Sequence, residues 1–228
     1  MGSRERQDRE KQAVRQAILE AARDLFTTEG YRNVSIRKIA ERIEYSPAAI
    51  YSYFGSKDDI YLALAEDGFR RLDAKLKTAS REGTPLQQVR AGWWAFYEFS
   101  KEQPAYFELL FVDRSVPQIT DGWEGFEILQ SMMADAATGL QRAVDAGELP
   151  PTLNPIAAMH VLWAALVGPS VLALCERLAP DEDRDLLAGD VLDAVIAGLK
   201  SGCSITFNPR ECHADRAGVA AVGVPHES

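Results

Sequence analysis

Between Asp8 and Glu29 the apolar residues Ala13, Val14, Ala17, Ile18, Ala21, Leu25 and Phe26 recur at steps of three and four, the stripe of an amphipathic helix. Gly30 follows where that helix must end, because a left-handed backbone costs glycine least. A second stripe of Ile36, Ile39, Ala40 and Ile43 opens on Ser35 and ends near Glu44. Ser46 followed by Pro47 combines an N-cap hydroxyl with a first-turn residue that has no amide to lose, so the spacing predicts a third, short helix over "PAAIYSYF" to Gly55. Ser56, with Asp59 three positions on, opens a fourth helix that reaches about Ala79, a near capping box with Asp in place of Glu.

Beyond Arg81 the segments beginning "TPLQQVRAGWW", "GWEGFEILQ", "NPIAAMHVLW" and "DEDRDLLAGD" each carry helical periodicity and are separated by Pro, Gly, Asp or Asn. No segment sustains a period of two, so the expected fold class is all-α. The pattern divides the chain into a head over residues 1–55 and a body over 56–200, with helix 56–79 connecting the two. Residues 201–228, rich in Gly, Pro and small side chains, read as a mobile tail.

Composition narrows the function classes. At 228 residues and 46% hydrophobic content the chain can bury one sizeable core, or a small domain attached to a larger one. No apolar run is read as approaching the roughly 20 residues that span a bilayer, and the charged start "MGSRERQDREKQ" has no hydrophobic segment behind it. The expectation is a cytoplasmic protein with neither membrane span nor signal peptide. Cys175, Cys203 and Cys212 are too few and too scattered for a disulfide framework. The net charge of −9 argues against a general nucleic-acid coat, but residues 1–60 hold 11 Lys and Arg against 10 Asp and Glu, so the acid lies in the body. A near-neutral head on an acidic body suits end-on approach to DNA.

Three helices over 8–55, the last two joined by a turn of about three residues, form the helix-turn-helix layout. The second of the paired helices would enter the major groove with Ala48, Ala49, Tyr51, Ser52 and Tyr53 outward and Ile50 and Phe54 inward. Spacing alone leaves open an ordinary helical hairpin whose tyrosines cover core. The residues go further. The run "VSIRKIAERIEYSPAAIYSYFGSKDDIYLAL", preceded by "ILEAARDLFTTEGY", resembles the N-terminal DNA-binding domain of TetR-type (TetR/AcrR) transcriptional regulators. That resemblance implies a homodimer of all-helical subunits, each with an N-terminal reading head for double-stranded DNA and a C-terminal domain that binds a small-molecule effector and forms the dimer interface. Two-fold pairing then predicts an inverted-repeat operator; a repressor released by its effector is the leading expectation, and an activator is the other, because the head does not encode the sign of regulation. It also implies DNA-contacting roles. Ser35 and Ser46 stand at the helix starts, with Ser35 meeting a phosphate; Arg37 meets a guanine edge, and Ala48 and Ala49 meet thymine methyls. Tyr51, Tyr53 and Lys57 are assigned to phosphates. Glu44 stands where many members have glycine, and a positive φ there would cost about 1 kcal/mol. The charged arm "RERQDREK" either follows a minor groove or extends the first helix into solvent.

In the body, Trp93, Trp94, Tyr97, Phe107 and Phe111 crowd one stretch, and Trp123, Phe126, Met133, His160 and Trp163 extend the set. Each is a core candidate singly; together with the resemblance they form a candidate pocket for an apolar or aromatic effector. His160 has a purely structural reading as well. Gly168-Pro169 predicts a kink in its helix. The last two long stripes, with Ala164, Ala165, Val171 and Leu172 on one and Leu187, Val191, Val195 and Leu199 on the other, are the candidates for dimerisation. Cys203, Cys212 and His213 match no metal-ligand spacing, and no cofactor or catalytic constellation is recognised. An enzyme is therefore disfavoured. A helical adaptor or ligand-binding protein without DNA binding is the alternative.

Overall fold

The computed structural model describes residues 3–79, 81–117 and 127–209. Among these the regular structure is all helical. Helix α1 (Ser3–Glu29), α2 (Ile36–Arg42) and α3 (Pro47–Tyr51) form the head, and α4 (Lys57–Lys77) leads away from it. The body contains α5 (Pro85–Glu102), α6 (Pro104–Phe107), a π-turn over Glu108–Val112, α7 (Glu127–Asp145), α8 (Pro155–Leu174) and α9 (Arg184–Lys200).

The serines set the boundaries of the head. Ser35, Ser46 and Ser56 each accept a hydrogen bond from the amide three residues on, at Lys38, Ala49 and Asp59. The expected stripes meet in part: Ile18, Ala21 and Phe26 of α1, Ile39 and Ala40 of α2, Ile50 of α3 and Phe54 beyond it are buried, and Leu19 and Ala22, outside the expected stripe, are buried with them, whereas Ala13 is exposed and Val14, Ala17, Leu25, Ile36 and Ile43 are half-buried. Each large apolar side chain so enclosed contributes about 1.5–3 kcal/mol. Helix α3 ends at Tyr51, three residues before Phe54, and a turn through Gly55 delivers the chain to α4.

Glu44 adopts φ +60. The turn it makes is a Schellman closure of α2, in which Tyr45 N–H bonds Ala40 O at 2.9 Å and Glu44 N–H bonds Glu41 O at 3.3 Å. The arm is the N-terminal end of α1, with Glu5 through Ala13 exposed, so it is a solvated helical extension.

In the body α8 packs against α9, α5 and α7, while α4 packs against α1, α5 and α7. Thr84 and Gln87 build a complete capping box at α5, and Glu148, in the turn after α7, accepts from Thr84 Oγ1 (2.5 Å) and Leu86 N–H (3.0 Å). Two sequence expectations are corrected. Helix α8 has 20 residues without a charge and is long and apolar enough, by length and composition alone, to cross a membrane; here it is a bundle helix. Part of the tail is placed: Ile205 packs on the core and the Phe207 ring lies 5.4 Å from that of His160. Cys212 and His213 lie outside the described residues.

Candidate nucleic-acid interface and effector region

The head carries an open groove of about 560 Å³ lined by Val34, Ser35, Ile36, Arg37, Pro47, Tyr51, Gly55, Ser56 and Lys57. Four of the eight residues assigned to DNA meet there: Ser35, Arg37, Tyr51 and Lys57. The starts of α2 and α4 both border it, and helix starts present amides without intrahelical acceptors and the positive end of the helix dipole. A phosphate fits such a place. Tyr51 stands 56% exposed at the rim, with Ala48 exposed beside it. Ala49 and Tyr53 are half-buried, Tyr53 packing on the core, while Ser46 spends its hydroxyl on the cap of α3.

Lys57 does more than sequence reasoning assigned. Its Nζ donates to Tyr31 O (2.8 Å) and Val34 O (3.0 Å) and sits 4.0 Å from the centroid of the Tyr31 ring. Asp58 accepts from the Tyr31 hydroxyl, and burial together with that carboxylate pushes the phenol well above its ordinary range. Consecutive residues at the start of α4 thus grip Tyr31 and fix α4 to the loop after α1. Two of the three ammonium hydrogens are committed to these carbonyls. No sequence signal marked the grip, because both acceptors are main-chain carbonyls.

Arg37 is the most exposed charged group at the groove for which a partner is resolved: Nε donates to Glu41 Oε1 at 2.9 Å, with the two side chains 80% and 62% exposed. Lys38, next along, is paired instead with Glu29 of α1.

The aromatic set of the body divides in two. Phe107 and Phe111 meet each other (5.1 Å) and Phe96 (5.8 and 5.5 Å), with Trp93 against Phe96 and Trp163 against Phe111. His160 lies next to Trp163 and bonds Ile156 O through Nδ1, and Met133 packs half-buried on the core. Trp94 and Tyr97 belong elsewhere. Trp94 approaches α9 at Gly189, and the buried Tyr97 donates to Asp185 Oδ1 at 2.8 Å, so its hydroxyl fastens α5 to α9. Trp123 and Phe126 lie outside the described residues.

The segment carrying Phe107 and Phe111 also reaches the head. Its π-turn is closed by Asp113 N–H to Glu108 O at 2.8 Å, a five-residue step often found at functional positions. Burial raises the Glu108 carboxyl, with the charge of Asp113 adding to it. Tyr106 of α6 donates to Asp67 of α4, Arg71 binds the same carboxylate at 2.8 Å, and Arg71 and Arg23 of α1 lie over the Tyr106 ring. Three helices from the two halves converge on one phenol.

The family model for bacterial regulatory proteins of the tetR family matches residues 18–64, and that for the tetracyclin repressor-like C-terminal domain matches 89–195. The HTH-type transcriptional repressor Rv1474c of Mycobacterium tuberculosis is 38% identical over 183 residues, covering 80% of this chain and 91% of that protein. The HTH-type transcriptional repressor AcnR of Corynebacterium glutamicum is 29% identical over 182 residues, covering 79% and 89% respectively. The fold matches that of the regulator FadR from Bacillus subtilis in complex with stearoyl-CoA at a TM-score of 0.65 and 17% identity, over 80% of this chain and 98% of that one. These relatives are transcriptional regulators and not enzymes. With both halves matched in order and a relative at 38% identity across most of its length, the chain belongs to the TetR family of DNA-binding transcriptional regulators.

Proposed function

We propose that the protein is a one-component repressor of the cytoplasm, which binds an inverted-repeat operator as a homodimer and leaves it when an apolar or aromatic small molecule occupies the body. Residues 1–55 are the reading head, 56–200 the effector-binding and dimerisation body, and α4 the connection. The observation that carries this reading is the head groove, where two helix starts, Arg37, Tyr51 and Lys57 line one opening. Ser35 and Tyr51 take phosphates, Arg37 a guanine edge, and Ala48 and Ala49 thymine methyls. The names of Rv1474c and AcnR support repression. The effector region is the cluster of Trp93, Phe107, Phe111, His160 and Trp163 with Met133. The acyl thioester held by the structural neighbour supports an apolar ligand of that general kind.

A ligand can shift the head only through unequal affinity for the two states, so the effector must prefer the form that misfits DNA. Selection of bound sequences from a random DNA pool tests the reading, with wild type and Tyr51→Ala at one salt concentration. The expected result is an inverted repeat enriched by the wild type and lost with the variant. A pool that stays random with both sinks it.

A further inference from the structure

Arg37 stands where helix physics alone would not put it. It is the second residue of α2, beside the positive end of the helix dipole, where a cation is disfavoured. Glu41, its partner, lies four residues toward the C-terminus, the weaker order for such a pair. Both side chains are largely exposed, and exposed pairs contribute little to stability. The pair nevertheless forms, and Glu29 of α1 draws off Lys38, the neighbouring cation that would compete for Glu41. Helix stability therefore gives a poor account of the pair. Its location on the groove gives a better one, since Arg37 lines the opening together with Ser35, Tyr51 and Lys57.

The atom used is informative. Glu41 takes the Nε hydrogen of Arg37, which leaves the outer edge of the guanidinium, Nη1 and Nη2, as two parallel donors. Guanine presents O6 and N7 in the major groove as two parallel acceptors. We propose that Glu41 is a positioning residue for base readout: its carboxylate holds the Nε edge of Arg37 so that the Nη edge is presented to guanine, and it thereby sets the discrimination at that base pair. The inference rests on the reading head proposed above. The same carboxylate repels phosphates, so it lowers affinity for DNA of any sequence. Glu41 exchanges affinity for specificity.

The two effects separate experimentally. Full-length wild type, Glu41→Gln, Arg37→Ala and the double variant are titrated at one salt concentration on the selected operator. The same titrations are run on its three single-base variants at the position where Arg37→Ala loses preference, and on an unrelated duplex. Glu41→Gln is expected to tighten binding to the unrelated duplex about twofold while cutting guanine discrimination about threefold. In the Arg37→Ala background Glu41→Gln should still tighten non-specific binding but leave discrimination unchanged. Full discrimination in Glu41→Gln, or an equal loss with and without Arg37, overturns the inference alone. A wild type that selects no sequence overturns the reading head and this inference together.

Discussion

Glu44 shows how a single backbone angle can be read from sequence and then weighed. At φ +60 a side chain with a Cβ is strained by about 1–2 kcal/mol, and Glu176 accepts the same penalty at φ 51 where α8 closes. The ends of α7 and α9 use Gly147 and Gly202 for the same closure, with Glu148 N–H to Ala143 O at 3.0 Å and Cys203 N–H to Gly198 O at 3.1 Å. Replacing Glu44 by Gly relieves the strain but returns conformational entropy to the unfolded chain, which offsets about 0.5–1 kcal/mol. The net expectation for Glu44→Gly is a gain of about 0.5–1 kcal/mol, read as a higher urea midpoint at unchanged slope. A lower midpoint would mean that the Glu44 side chain makes a compensating contact. Lys57 teaches the complementary lesson. Its identity and place were legible, but its bonds to Tyr31 O and Val34 O depend on how the loop after α1 folds back.

At the scale of elements, α5 and α9 are joined by groups that titrate. Asp185 accepts from Lys101 Nζ (2.6 Å) and Tyr97 Oη (2.8 Å), and Lys101, then Tyr97, hold its carboxyl below the ordinary range despite partial burial. Asp193 is lowered in the same way by Arg90, which binds it through Nε (2.6 Å) and Nη2 (2.8 Å). A depressed folded-state pKa means stabilisation that is complete above the unfolded value of about 3.9 and lost as pH falls through the folded value. Wild type should therefore lose stability below about pH 4, and Asp185→Asn should be less stable than wild type at pH 7 but converge with it in acid. Chemical denaturation between about pH 2 and 7, which spans the carboxylate range, decides this, and parallel curves at all pH would remove Asp185 from the account. Helices were legible here because caps and stripes are local. Which aromatic faces which neighbour was not: Trp93 and Trp94 are adjacent in sequence, yet one meets Phe96 beside the Phe107–Phe111 cluster and the other approaches Gly189 of α9. That division depends on the arrangement of α5, α8 and α9, which no single stripe encodes. The π-turn is not legible in the sequence for a related reason, since its extra residue leaves the apolar run through Leu109, Leu110 and Phe111 unbroken.

The whole molecule leaves apolar side chains facing outward on α8 and α9: Ile156, Trp163 and Leu172 on one, and Leu186, 63% exposed, on the other. Scattered exposed apolar residues are ordinary, but these lie on the two helices that the stripes assigned to dimerisation. In a two-fold interface each position occurs twice, so a carboxylate at Leu172 and at Leu186 would bury four unpaired charges, at several kcal/mol in total. The same changes on a free surface would cost within about 0.5 kcal/mol each. Under the proposed homodimer, wild type is expected to sediment as a dimer and Leu172→Glu/Leu186→Glu as a monomer with its helical content intact. The consequence should reach the DNA. A dimer places its two heads about 34–36 Å apart, one turn of the duplex, so inserting about 5 base pairs between half-sites turns one of them to the opposite face and should abolish wild-type binding. The monomeric variant should bind both DNAs equally and weakly. If the double variant remains a dimer, the pairing surface lies elsewhere on the body; if it is monomeric but still senses the insertion, the half-sites are coupled through the DNA rather than through α8 and α9.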